Sequence, residues 1–94
     1  MQTTVELINQ NIEKSNTILK KFKLLYQNNY EVKSLKAQNV TIQLIQHLKT
    51  AYNFEQSDFK NLIKDYKTNN ETIKNLGGKD IANYICQCLE NYLY

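Results

Sequence analysis

From Thr4 to about Gln27, the residues Val5, Ile8, Ile12, Ser15, Leu19, Phe22 and Tyr26 recur at alternating intervals of three and four. That spacing is a heptad seam, a stripe that keeps facing one partner, so the segment is predicted to be one long helix. Thr3 and Glu6 have the spacing of a capping box at its start. Asn28 and Asn29 supply a residue type that tolerates the left-handed conformation at its end. A short helix over residues 30–36, using Val32 and Leu35, is expected to turn the chain back. Residues 40–52 then repeat helical spacing through Val40, Leu44 and Leu48, with Asn39 as the expected N-cap.

Ser57 is expected to open the next helix, with Asp58 near its positive end and Phe59, Leu62, Ile63 and Tyr66 on the buried stripe. After a loop at residues 67–69, Ile73 and Leu76 mark a short turn, and Gly77 suits the left-handed position that ends a helix. Residues 80–92 form the last predicted helix, whose broad apolar face carries Ile81, Tyr84, Ile85, Cys88, Leu89 and Tyr92.

Composition removes the competing fold classes. The chain has no Pro and only two Gly, the adjacent Gly77 and Gly78, so it lacks the residues that build tight β-hairpins. A hydrophobic fraction of 41% with 22% charged residues is that of a folded protein and not of a disordered one. The expectation is a single all-α domain over residues 1–94, a compact bundle of about four principal helices with one or two short ones and a long N-terminal helix.

Charge adds a direction. The net charge is +3, and the excess lies in the first half, where Lys20, Lys21 and Lys23 cluster. There is no Arg, the side chain best suited to bidentate phosphate contacts and base readout, which ranks nucleic acid below protein as a partner. The start MQTTVELINQ has neither the basic region nor the apolar run of a secretory signal, and no stretch has the length to span a bilayer. A cytoplasmic protein with no membrane contact is expected.

Candidate chemistry is sparse, and no catalytic residue, cofactor or metal is assigned. His47, the single His, adjoins an apolar stripe and reads as a partly exposed structural residue. Cys86 and Cys88 point about 200° apart on a helix and cannot bond to each other; Cys88 is expected in the core and Cys86 at the rim. A faint helix-turn-helix outline over residues 70–85 places Gly78 and Asn83 where buried residues are required.

Seven Tyr, by contrast, suit an interface, because Tyr joins contact area to a polar handle. Tyr30 and Tyr94 are expected to be exposed, and Tyr26, Tyr52, Tyr66 and Tyr84 to lie at the core edge. The candidate partner-binding surface therefore combines Lys20, Lys21 and Lys23 with Tyr26 and Tyr30. The N-terminal seam is expected to be filled by the chain's own helices, with a homodimer through that helix, or reception of a partner helix, as the alternative.

Residues 18–67 resemble the N-terminal helical domain of transcription elongation factor S-II and its relatives, through the runs ILKKFKLL, YEVKSL, NVTIQLIQHLK and FKNLIKDYK. Tyr66 stands where that family carries Trp, and Thr41 where it carries Gly. The resemblance implies a docking bundle for transcription machinery. From the residues themselves, the leading expectation is a small inhibitor or adaptor that occludes a protein partner. Proteins of that kind include phage- or bacteria-encoded anti-defence proteins, antitoxins and immunity proteins. A lysine-dependent, non-specific nucleic-acid binder is the third reading.

Overall fold

A computed structural model describes residues 4–94, which form five helices and, among the described residues, no strand. These are α1 (Thr4–Gln27), α2 (Leu35–Tyr52), α3 (Gln56–Thr68), α4 (Asn70–Leu76) and α5 (Lys79–Leu93). The all-α bundle with a long first helix is therefore the architecture of the chain. The proposed capping box at Thr3 and Glu6 lies outside the described residues.

Helices α1, α2 and α4 end at a residue in the left-handed region: Asn29, Asn53 and Gly77. The Asn28 side chain donates to the Leu24 carbonyl at 2.7 Å, and Asn29 turns left-handed at φ 60° to close α1. Helix α2 starts earlier than residue spacing suggested: Ser34 caps it by accepting from the Ala37 amide at 3.2 Å. Asn39 is thus an interior position, and residues 31–34 form turns instead of a helix. Leu35, one of the two apolar residues of the expected short helix, is the first residue of α2 and 77% exposed.

Glu55 is the N-cap of α3, and its amide donates to the Asp58 side chain at 2.8 Å, so the helix begins just before Ser57. Asn69 caps α4 by accepting from the Glu71 and Thr72 amides. Gly77 and Gly78 then take φ of 110° and 118°, values that L side chains adopt only under strain, and this pair sets the sharp turn into α5.

Phe22, Ile85 and Leu89 sit at the centre of the core, with α1 packed on α2 and α5, and α3 packed on α5. Leu25, Leu44, Ile45, Phe59 and Ile63 surround them. The α5 face is broader than its spacing suggested, because Ala82 and Cys86 are buried along with Ile85, Cys88 and Leu89. Tyr84 is buried and donates from its hydroxyl to the Tyr30 carbonyl at 2.7 Å, tying α5 to the turn after α1. Tyr52 is exposed and not a core-edge residue.

Only half of the α1 seam is closed. Its buried stripe is Ile18, Phe22 and Leu25, while the seam residues Val5, Ile8 and Ile12 remain 66%, 51% and 50% exposed. The cause is the length of α2. Ser15 meets His47 and Lys21 meets Gln43, so α2 runs antiparallel to α1 and reaches its end, Tyr52, near the level of Asn11. The residues of α1 before Asn11 extend about 10 Å past that end. The expectation that the chain's own helices fill the seam is corrected for this half.

Candidate protein-docking surface

The antiparallel pairing of α1 with α2 leaves a furrow between them on one side of the bundle. Along α1 its wall is Lys14, Thr17, Lys21, Leu24 and Asn28, and along α2 it is Lys36, Asn39, Gln43 and Gln46. The α1 set is a second stripe at intervals of three and four, rotated from the seam. The furrow comprises an open recess of about 580 Å³ that continues, through the shared Lys21 and Gln43, into one of about 310 Å³.

Its floor is apolar. Ile18, Leu25 and Val40 reach it from the core, and Leu24 on the wall is 57% exposed. Its rim is basic and amide-rich, with Lys14, Lys21 and Lys36 among the lining residues and no acid. Two of these ammonium groups are held in place. The Lys21 amine donates to the Gln43 side-chain carbonyl at 2.9 Å, and the Lys36 amine donates to the Tyr30 hydroxyl at 2.8 Å while lying 4.8 Å from the ring centroid. Such contacts reduce the side-chain entropy that a partner would otherwise have to remove.

The five residues singled out from the sequence do not share one face. Lys21 and Tyr30 line the furrow together. Lys23, 200° around the helix from Lys21, lays its stem over the Gly77 turn, where a Cβ on Gly77 would come within 3.1 Å of its Cε. Tyr26 stacks edge-on with Tyr84 at 5.8 Å and, with Tyr30 and Glu31, lines a separate recess against α5. Lys20 is exposed on the outer face of α1. Lys14, Leu24 and Lys36 escaped the sequence reading, although the heptad spacing of Lys14, Lys21 and Asn28 carries the signal.

The reactive side chains elsewhere are withdrawn from solvent. His47 is 2% exposed, not partly exposed, and burial lowers its pKa, with the Lys14 charge adding to the shift and a main-chain hydrogen bond to Asn11 opposing it. Cys86 is buried rather than at the rim; its thiol faces the Ile63 carbonyl at 3.6 Å, and burial pushes its pKa up to about 11. Cys88 is buried and shifted upward for the same reason. Among the described residues, no group of three or more His, Cys, Asp or Glu could hold a metal ion, and no helix is long and apolar enough to cross a membrane.

Comparison with family models, with curated proteins and with solved structures finds no match to this chain.

Proposed function

We propose that this protein is a non-enzymatic protein-binding module, an inhibitor or adaptor of the phage or bacterial kind, that acts by occluding a partner docked in the α1–α2 furrow. The observation that carries this reading is the furrow itself: an apolar floor, an exposed Leu24 and a rim with three lysines and no acid. Apolar floor with polar rim is the arrangement of a protein interface. The buried thiols and the buried His47 support a role without catalysis, since a thiolate nucleophile or a general base must reach its substrate.

Affinity capture from native lysate with wild type and with Lys21→Glu/Lys36→Glu tests it. A defined protein that wild type retains at high salt and the variant loses supports the module. Nucleic acid released as salt rises points instead to the electrostatic binder, because phosphate contacts weaken through counterion release.

The half-open seam favours a second contact, with another copy of this chain. In an antiparallel pair crossing at Gln10, Ile8 of each copy meets Ile12 of the other, and no lysine precedes Lys14 on α1 to repel its mate. Sedimentation that stays monomeric across the accessible concentration range excludes this pairing.

A further inference from the structure

We infer that the occupant of the furrow is an amphipathic helix with acidic residues spaced one heptad apart along one edge. This deepens the proposed docking role and rests on it. The argument begins with the positions of the three ammonium groups. Lys14 and Lys21 are seven residues apart on α1, about 10 Å along the axis. Because Ser15 meets His47 and Lys21 meets Gln43, residue numbers fall on α2 as they rise on α1, and Lys36 lies near the level of Asn28. The three cations are therefore nearly evenly stepped along about 20 Å of furrow, a length spanned by roughly four turns of helix.

A helix laid in this furrow presents side chains at i and i+7 to the α1 wall, in register with Lys14 and Lys21, and its opposite edge, about two turns further on, to Lys36 on the α2 wall. Carboxylates at those positions complement the rim, apolar residues at i+3 and i+4 fall over Ile18, and those at i+10 and i+11 fall over Leu24, Leu25 and Val40. A nucleic-acid backbone satisfies only half of this surface. It offers phosphates to the lysines and nothing apolar to Leu24 or to the floor. The Tyr30 ring, the aromatic group on the furrow, already carries the Lys36 ammonium against its face and is a poor stacking platform for a base.

The test is a selection of displayed peptides of about 16 residues on the intact chain, since four turns of helix fill the furrow. Winners are then measured by fluorescence anisotropy against wild type, Lys21→Glu and Leu24→Ser, with oligo-dT as a competitor. The expected winners carry Glu or Asp at heptad spacing beside an apolar stripe. Lys21→Glu should weaken them at least tenfold, and exchanging the facing acid for Lys should restore binding to that variant alone. Thermal melts that match wild type show that the variants fold, and Leu24→Ser probes the floor without touching charge.

Winners without acids, winners bound equally by Lys21→Glu, or an empty selection with tight oligo-dT binding would each overturn the acidic helix. The docking role fails separately. If a captured natural partner depends on the furrow but its binding segment lacks acids, only this inference falls. If its binding survives Lys21→Glu/Lys36→Glu, the furrow itself is the wrong surface.

Discussion

The Ser15 hydroxyl and the His47 Nε2 lie 2.8 Å apart, joining the middle of α1 to the last third of α2. The polar residue that interrupts the seam is thus the partner of the only His. Burial holds the His47 pKa below its ordinary value of 6.5, so the folded state favours the neutral ring. The unfolded chain takes up a proton as pH falls through about 6.5 and the folded chain does not. The stability contributed by neutral His47 is therefore complete above that pH and is lost as pH drops toward the folded pKa. Melts at stepped pH from 8 to 5 should show a falling midpoint, and His47→Gln should flatten that fall. Ser15→Ala leaves a buried ring nitrogen without its side-chain partner and should cost about 1–3 kcal/mol at neutral pH.

This pair also marks the limit of what residue spacing discloses. Helix type and order are legible from the absence of Pro and the three-and-four spacing, whereas two starts are not: Ser34 and Glu55 cap α2 and α3 where Asn39 and Ser57 are expected. Nor is the face that each helix buries. Between Ile18 and Tyr26 six of nine residues are apolar, and two stripes, Leu19–Phe22–Tyr26 and Ile18–Phe22–Leu25, both keep helical spacing. The structure buries the second because α2 approaches on that side. The lysines were similarly grouped by nearness in sequence, whereas a helix sends Lys21 and Lys23 to nearly opposite faces. His47 and Cys86 were misplaced because their burial depends on contacts with α1 and α3 that no local pattern records.

Both thiols should be inert in the native state. Reaction with a disulfide reagent requires thiolate, and Cys86, buried with a pKa pushed up to about 11, supplies almost none near pH 8. Colour development with Ellman's reagent should be slow for the folded protein and complete within the dead time in concentrated guanidinium. A native burst equal to one thiol would mean that α5 opens readily from α3.

The Gly77–Gly78 turn makes a prediction about backbone alone. At Gly77, a Cβ would meet the Ile81 Cδ1 at 3.1 Å as well as carry the strain of φ 110°; at Gly78 space is open, but φ 118° with ψ 174° is a glycine conformation. Gly77→Ala and Gly78→Ala should each cost about 1–3 kcal/mol in denaturant melts, and Gly77→Ala should cost more. Equal losses would show that Ile81 and Lys23 move aside freely.

The two halves of α1 should respond oppositely to substitution. Phe22 is fully buried in the core, and Phe22→Ala should lose about 3–5 kcal/mol through lost burial and the cavity left behind. Val5 and Ile8 project beyond the end of α2 and Ile12, level with its last turn, is half exposed, so Ile8→Lys removes no intramolecular packing comparable to that of Phe22. Its effect on the monomer should stay within about 0.5 kcal/mol, the range of ordinary surface changes. If the exposed strip pairs with a second copy, Ile8→Lys should also abolish any rise of the melting midpoint with protein concentration, because association stabilises the folded state by mass action. A large, concentration-independent loss of stability from Ile8→Lys would instead show that the first turns of α1 fold back onto the bundle, contrary to the exposure seen here.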